Sequence, residues 1–558
     1  MGSVVFVLHS HLPWVLGHGH WPHGESWLFE AAAESYVPLL QMTDRLVERK
    51  SRAHLTLGIT PVLAESLSDP RFVEGFRAYV AERTSLADRD RDEFRSKGDG
   101  RSEALAAAWA RFYRGIASTF EDRCQADLLA AFRGQQDAGR LELVTSAATH
   151  GYLPLLGTDA AVAAQLRCGE ASYRRHFGRA PQGVWLPECA YRPAGLWSRP
   201  SGPPRAWRRA GLEAFLSADG LRFFFVDTHL VTGGAPLGTY EDQVPERRLD
   251  ATSPSRGFSA NDVHVLAAGA GRAPVAVLAR DPRSSVQVWS ADYGYPGDGA
   301  YLEFHRKKGR QGLRYWRVTD RRLPLEAKVA YSPEDAEARV QAHASHFLSL
   351  VRDTLQTHLR EKGRTGVVVA PFDTELFGHW WFEGPRWLEA VLEGLAPDLE
   401  AVTASEALGH HPPRAMITLP EGSWGQGGHH WVWLNDDTRW VWDRVYRAED
   451  AFETALRGLR TTGGATRVRI LRQAARELLL LEASDWPFLI TTVAARDYAE
   501  ARVRLHAETF DRLLALAERA GAEPLPPDEA ARLAEVEARD SLFPDLDLNW
   551  WAQEAPKP

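Results

Sequence analysis

This chain of 558 residues has few cysteines, no excess of positive charge and no long apolar run, and each of these features argues against a class of protein. Three cysteines, Cys124, Cys168 and Cys189, are too few and too scattered for a disulfide framework or a thiolate metal site. The net charge of -8 argues against nucleic acid or an anionic membrane surface as a partner. The first apolar run follows no basic segment and is interrupted at His9, so we predict neither a signal peptide nor a membrane span. A reducing cytoplasm is the expected compartment.

Tryptophan is the abundant residue, with 20 copies in a chain whose 44% hydrophobic and 25% charged residues are otherwise ordinary. The length suggests two or three domains. Any one tryptophan normally packs in a core. In glycine-rich or polar segments, however, a flat aromatic face can stack on the apolar face of a pyranose ring, and several tryptophans lie in such segments: Trp21, Trp27, Trp289, Trp424, Trp431 and Trp433. A series of such platforms favours a polymeric sugar as the ligand.

Two segments place a carboxylate at the end of an apolar strand. In Gly183–Ala190 the run Val-Trp-Leu leads through a proline to Glu188, and in Gly366–Trp381 a valine-rich run leads to Asp373. Glycosidic-bond chemistry needs such a pair, because one acid protonates the leaving oxygen and one carboxylate attacks or assists. Each acid taken alone fits a helix cap equally well, but the pair together favours catalysis.

Short apolar runs separated by helical or loop segments recur over the first 375 or so residues and predict a parallel sheet of β-α units. Most runs end in His, Asp or Glu, which is typical of a parallel β/α barrel with its active face at the carboxyl ends of the strands. An open doubly wound sheet is the alternative, although no glycine-rich phosphate loop follows the first run. A weaker eighth strand begins near Leu399. The seven runs are Val4–His9, His54–Thr60, Leu141–His150, Gly183–Glu188, Phe223–His229, Val286–Asp292 and Val367–Asp373.

Two excursions and a change of character divide the chain. Residues 70–140 are charged and alanine-rich, as in long surface helices. Pro193–Phe215 begins rich in proline and glycine and then turns helical, which predicts a small insertion over one side of the site. Beyond residue 411 apolar residues recur at three- and four-residue spacing, as in helices. We therefore predict an α/β fold: a distorted (β/α)7 barrel in 1–193 and 222–410, a small helical insertion in 194–221 and an α-helical C-terminal domain in 411–558.

Five segments in order resemble glycoside hydrolase family 57, and within it the 1,4-α-glucan branching enzymes, over essentially the full length of the chain. They are HSHLPW (His9–Trp14), ATHGY (Ala148–Tyr152), WLPECAYR (Trp185–Arg192), FDTELFGHWW (Phe372–Trp381) and SDWPF (Ser484–Phe488). The resemblance implies a seven-stranded barrel, a small helical insertion and a helical C-terminal domain. It also implies retention of anomeric configuration without a cofactor.

The resemblance also implies roles for individual residues. Glu188 matches the nucleophile and Asp373 the general acid/base, while His11 and His150 match histidines beside the cleaved bond. The implied substrate is an α-1,4-glucan, cleaved and transferred to a glucan 6-hydroxyl to make an α-1,6 branch. Further substrate-binding positions implied by the match are Trp289, Trp424, Trp433, Asp485, Trp486 and Tyr240, the last in a mobile loop.

Physical chemistry agrees with a retaining mechanism. The two carboxyl groups are expected about 5–5.5 Å apart, so that Glu188 can attack the anomeric carbon. Asp373 must stay protonated near neutral pH, which desolvation would favour. Polar neighbours such as His11 or Arg192 would keep Glu188 ionised. The aromatic side chains expected to desolvate Asp373 are Phe372, Phe377 and Trp380.

Other functions remain open from the residues alone. Strand-end histidines and acids suggest a metal enzyme such as a barrel deacetylase, although the first strand offers no Asp beside its histidines. The candidate ligands for that hypothesis are His9, His11, His150, Asp227, His229 and Asp292. Within the resembled family, an α-amylase or a 4-α-glucanotransferase is the nearer alternative. A non-catalytic glucan-binding scaffold is a third possibility, against which both carboxylates argue. We expect a monomer or small homo-oligomer.

Overall fold

The structure, a computed structural model, describes residues 2–201, 206–233, 256–290, 292–462, 464–520, 524–552 and 556. Its strands are β1 (Gly2–Ser10), β2 (Leu55–Ile59), β3 (Leu141–Ser146), β4 (Gly183–Trp185), β5 (Gly195–Ser198), β6 (Ala206–Arg209), β7 (Phe223–Val226), β8 (His264–Leu266), β9 (Val275–Ala279), β10 (Val367–Asp373) and β11 (Leu399–Ala401). Its α-helices are α1 (Glu25–Ala31), α2 (Val37–Glu48), α3 (Pro61–Ser68), α4 (Pro70–Ser96), α5 (Gly100–Ser118), α6 (Leu128–Asp137), α7 (Asp159–Phe177), α8 (Leu212–Ala218), α9 (Thr228–Thr232), α10 (Pro282–Trp289), α11 (Pro333–Lys362), α12 (Gly384–Glu393), α13 (Ala404–His410), α14 (Arg439–Thr462), α15 (Ala465–Leu481), α16 (Asp485–Thr491), α17 (Arg496–Arg519) and α18 (Pro527–Arg539).

A nine-stranded sheet forms the centre of the molecule. Seven strands are parallel neighbours in the order β10-β1-β2-β3-β4-β7-β9, while β8 is antiparallel to β9 and β11 pairs with the start of β1. Within the described ranges no ladder joins β9 to β10. Isolated backbone hydrogen bonds cross that gap: Asp281 N–H donates to Val369 O at 2.8 Å, and Val367 N–H donates to Asn261 O at 2.9 Å. The predicted α/β fold is confirmed, as a distorted seven-stranded barrel that stays open between two strands.

Alternate residues of the strands belong to two different apolar cores. In β1, Val4, Phe6 and Leu8 pack in the large core shared with the helices, whereas Val5 and Val7 lie in a separate buried cluster. That second cluster draws side chains from several strands, and this is expected for the filled interior of a barrel. It also contains Val144, Trp185, Phe225 and Val369. Because both faces are buried, these strands consist almost entirely of apolar residues.

The prediction of a strand at Val286–Asp292 is wrong. Pro282–Trp289 forms helix α10, because Asp281 caps its first turn by accepting the Ser284 N–H at 2.8 Å and a proline occupies the first helical position. The parallel strand at this point of the sheet is β9, whose five residues are all buried. The alternation of valines in Val286–Asp292 indicated a strand, but the preceding cap and proline decide the local structure.

The segment predicted as a small helical insertion is helical only in its second part. It begins with the antiparallel strand pair β5 and β6, in which Trp197 faces Trp207, and continues into α8. The other excursion, residues 70–140, consists largely of the long helices α4 and α5, as predicted.

Helices α14 to α18 make up the C-terminal domain, which contacts the barrel at the carboxyl end of β3. Gly151 and Ala483 form an isolated antiparallel bridge, and Ser484 N–H donates to His150 O at 3.1 Å. The segment between α15 and α16 therefore reaches the edge of the sheet where the predicted site residues lie. Within the described ranges, none of the helices combines the length and apolar character that crossing a bilayer requires.

Candidate active site

Glu188 lies just beyond the end of β4. The backbone there is left-handed, with φ of 60° at Glu188 and 48° at Cys189. This conformation costs roughly 1–3 kcal/mol for residues other than glycine and persists only where surrounding contacts hold it. Trp424 Nε1–H donates to Glu188 Oε2 at 2.8 Å, and Ser484 Oγ–H donates to Oε1 at 3.4 Å. Both carboxylate oxygens are therefore held by donors from the C-terminal third of the chain.

The charge of Glu188 is balanced between burial and nearby donors. Burial raises the pKa of Glu188 to about 7, while the hydrogen bond from Trp424 and the charge of His11 act in the opposite direction. Near neutral pH a substantial fraction of Glu188 is ionised, as a nucleophile requires.

Asp373 is the last residue of β10, and its carboxyl favours the protonated form. Burial raises the pKa of Asp373 well above its ordinary value, and the negative charges of Glu375 and Glu188 raise it further. The positive charge of Arg280 opposes this shift. An aspartic acid that keeps its proton near neutral pH can act as a general acid, so the two carboxyl groups differ in the way that acid and nucleophile need.

Two predicted supports of these carboxylates are absent. Phe372 and Phe377 are buried, but Trp380 is 43% exposed and does not enclose the site as expected. Arg192 is buried on another side, and its ion pair is with Asp159 at 3.8 Å. It therefore does not hold the charge of the nucleophile candidate, because the chain turns between the two residues.

Three histidines and one aspartate line the neighbouring part of the site. His11 Nε2 lies 3.0 Å from Asp485 Oδ1, and His150 Nε2 lies 3.0 Å from His9 Nε2. Burial lowers the pKa of His9 and of His150 well below the ordinary value, so both are neutral. Burial also disfavours charge on His11, but Asp485 outweighs it and the pKa of His11 is raised. The structure thus brings together His11, His150 and Asp485 as predicted.

These residues do not fit a metal centre. Ligand atoms of His11, His150 and Asp485 lie within 4.8 Å of one another. The two imidazole rings, however, stack with centroids 3.9 Å apart and planes at 19°, so their in-plane lone pairs run side by side instead of converging on one point. Other residues of the metal hypothesis are engaged elsewhere, since Asp227 pairs with Arg280 and Asp292 with Arg321.

The predicted aromatic positions divide into contacts of the site and packing residues. Trp424 donates a hydrogen bond to Glu188. Trp289 is half-buried, and the centroid of its ring lies 6.4 Å from that of Phe372. Trp433 is 1% exposed and stacks on Tyr152 with centroids 4.5 Å apart.

Trp486 is 0% exposed and donates its Nε1–H to Leu480 O at 2.7 Å. Tertiary contacts cover the rings of both Trp433 and Trp486, so neither ring presents an open face to a sugar here, and their substrate-binding roles stay predictions. Tyr240 lies outside the described residues.

Sequence reasoning missed two residues of the site. Glu375 accepts hydrogen bonds from the Tyr36 hydroxyl and from the His11 backbone N–H. It therefore connects the residue before α2 and the residue after β1 to the end of β10. Ser484 contacts both Glu188 and His150. Both residues stood inside motifs already singled out, but only the tertiary contacts distinguish them from their neighbours.

Comparisons with known proteins identify the family of this chain. The model of glycosyl hydrolase family 57 matches residues 5–420, and the model of the C-terminal region of 1,4-alpha-glucan branching enzymes matches residues 444–551. The 1,4-alpha-glucan branching enzyme TK1436 of Thermococcus kodakarensis is 42% identical over 92% of this chain and 73% of its own. Its crystal structure has a TM-score of 0.89 at 40% identity and covers 100% of this chain and 97% of its own. The alpha-amylase AmyC of Thermotoga maritima has a TM-score of 0.81 at 29% identity and covers 99% of both chains. The chain therefore belongs to glycosyl hydrolase family 57.

Proposed function

We propose that this chain is a 1,4-α-glucan branching enzyme of the retaining type, with Glu188 as nucleophile and Asp373 as general acid/base. The observation that carries the proposal is the contact between domains. The C-terminal region, which matches the branching-enzyme model, delivers Ser484 to Glu188 and Asp485 to His11. We further propose that the enzyme works in the cytoplasm, in glycogen-type synthesis, as a monomer or small homo-oligomer.

The first step cleaves an α-1,4 bond. Asp373 gives its proton to the glycosidic oxygen while a Glu188 oxygen attacks the anomeric carbon, so one chain leaves with a new hydroxyl and the other becomes esterified to Glu188. The neighbours of the two carboxyl groups support this assignment, because Trp424 and His11 favour ionised Glu188 whereas Glu375 and Glu188 favour protonated Asp373. His11, whose ring nitrogens contact Asp485 and Thr60, is placed beside the sugar at the broken bond.

The second step transfers the held chain. Asp373, now ionised, takes the proton of a glucan 6-hydroxyl, whose oxygen attacks the anomeric carbon and releases Glu188. The product is an α-1,6 branch with the original anomeric configuration. Water attacking in place of the 6-hydroxyl gives hydrolysis, so the outcome depends on how well the acceptor is held and water is excluded.

Hydrolysis is the second candidate function, and the likeness to an alpha-amylase over nearly the whole chain favours it specifically. Incubation with amylose, followed by debranching and profiling of the chains, distinguishes the two. Branching yields new chains only after debranching, hydrolysis yields reducing ends before it, and disproportionation alters chain lengths without branches. A product whose chain-length profile is the same before and after debranching would contradict the proposal.

The pH dependence of kcat/KM should be bell-shaped, since activity requires ionised Glu188 and protonated Asp373. The rate rises as pH rises through the pKa of Glu188, about 7, and falls as pH rises through the elevated pKa of Asp373. Because Glu188 and Asp373 interact, the two apparent pKa values of the profile describe the pair and not either residue alone. Initial rates on amylose across roughly pH 5–10 test this, and a maximum at the acid end would contradict it.

Chelation should leave activity unchanged. The stacked imidazoles offer no convergent ligand set, and the carboxyl groups supply acid, base and nucleophile. Exhaustive EDTA treatment followed by amylose turnover tests this. Loss of activity that zinc restores would support the metal hypothesis.

A further inference from the structure

Ser484 directly precedes α16, at a position where a serine usually caps the helix with its hydroxyl. Here it makes no side-chain cap. Its Oγ instead lies 2.8 Å from His150 Nδ1 and 3.4 Å from Glu188 Oε1, and the residue is 1% exposed. The hydroxyl therefore contacts two residues of the barrel and does not cap its own helix.

The direction of the hydrogen bonds follows from the single hydroxyl hydrogen. A carboxylate is the strongest acceptor within reach, so Ser484 donates to Glu188 and must accept from His150 Nδ1–H. His150 is neutral, which leaves its Nε2 without a hydrogen, and that atom accepts from His9 Nε2–H at 3.0 Å. Three consecutive donors thus point toward Glu188, from His9 through His150 and Ser484.

We propose that Ser484 is a positioning residue, which orients the Glu188 carboxylate for attack and fixes the tautomer of His150. The inference rests on the proposed role of Glu188 as nucleophile. Trp424 donates to one oxygen at 2.8 Å and Ser484 to the other at 3.4 Å, so each carboxylate oxygen has a donor that favours one orientation and stabilises the charge that returns in the second step.

Several charged or titratable groups from different elements face Glu188. His11 favours its ionised form and Asp485 disfavours it. The others that interact with it are His150, Tyr152, Cys189 and Asp373. All of these groups remain when the Ser484 hydroxyl is removed, and His150, which also loses a hydrogen bond to that hydroxyl, is neutral. An altered ionisation of Glu188 therefore reports the lost contacts of Ser484.

The test compares Ser484→Ala with Ser484→Thr and with a matched control, Ser332→Ala. Ser332 caps α11 by accepting the Asp335 N–H and lies on an exposed helix end, so its loss affects only stability. Loss of a hydrogen bond to the ionised form raises the pKa of Glu188, so the acid limb of kcat/KM should move up by about 0.5–1 pH unit in Ser484→Ala. At pH 6 we expect kcat roughly 3–10-fold lower with KM within about twofold. Ser484→Thr keeps the hydroxyl and should restore the limb.

A second readout needs no substrate. The pH dependence of Glu188 labelling by a water-soluble carbodiimide and glycine ethyl ester, followed by peptide mass spectrometry, reports protonation directly. Ser484→Ala should shift this curve upward by the same amount, and Ser332→Ala should not. A shifted curve in a protein without α-glucan activity would support the inference and contradict the proposed function.

A structural role for Ser484 predicts a different result. Ser484→Ala would then lower the melting temperature while the acid limb and the labelling curve stay in place, and this outcome would overturn the inference. Because alanine removes a single oxygen, this variant decides the test even where the threonine methyl group cannot be accommodated.

Discussion

Glu188→Gln should lower kcat on amylose by roughly 10⁴-fold or more, because an amide cannot form the covalent intermediate. Asp373→Asn should lower it by about 10²–10⁴-fold, the usual contribution of a general acid. Both substitutions remove a proton or a charge and keep the shape, so circular dichroism and the melting temperature should change little. Initial rates of amylose turnover measure the effect.

A maltosyl fluoride separates the two roles, because fluoride leaves without protonation. Asp373→Asn should therefore form the glycosyl ester from this substrate at close to the normal rate, whereas Glu188→Gln should form none. Asp436→Asn is the matched control, since that carboxylate is 94% exposed and should leave both reactions unaltered. Near wild-type amylose turnover in either site variant would refute the assignment.

Arg280→Leu should destabilise the protein by about 3–5 kcal/mol, the usual effect of breaking a buried ion pair. Arg280 donates Nε–H and an Nη–H to the two oxygens of Asp227 at 2.9 and 2.8 Å, and the residues are 2% and 0% exposed. Removing the guanidinium leaves the buried Asp227 carboxylate, at the carboxyl end of β7, with the Thr228 N–H at 2.7 Å and the His229 ring at 3.5 Å in place of a charged partner that makes two hydrogen bonds. Calorimetry should show a clearly lower melting temperature.

Two further variants test the cause of this destabilisation. Arg321→Leu breaks the Arg321–Asp292 pair, whose side chains are 36% and 71% exposed, and should change stability by no more than about 1 kcal/mol. Arg280→Leu combined with Asp227→Leu removes both charges and should recover much of the loss. Equal melting temperatures for Arg280→Leu and Arg321→Leu would show that the buried pair does not matter as proposed.

The sequence by itself determined the fold class and the two strand-end carboxylates. Strands buried on both faces, such as β10, consist of consecutive apolar residues, and a strand's carboxyl end follows directly from where that run stops. The places of Glu188 and Asp373 at one edge of a parallel sheet could therefore be predicted from local pattern. His11 and His150 followed from the same reasoning, since each lies just past its strand.

Local pattern failed where competing signals overlapped. Val286–Asp292 alternates like a strand, yet the Asp281 cap and Pro282 make it a helix, and the strand is the preceding β9. Glycine-rich surroundings suggested an open sugar platform at Trp433, and the family resemblance implied a substrate-binding position at Trp486. Packing covers both rings instead, because a tryptophan's exposure depends on which distant segments lie against it.

Only the tertiary structure decided how the carboxylates are held and charged. Trp424 and Ser484 follow Glu188 by 236 and 296 residues, and no spacing along the chain shows that their donors meet its two oxygens. Arg192 is four positions away and belongs to a different cluster. The ionisation of a buried group depends on desolvation and on charges within a few ångströms. Those neighbours come from elements that are remote in sequence, so the sequence determined which residues carry the chemistry and the fold determined their protonation and orientation.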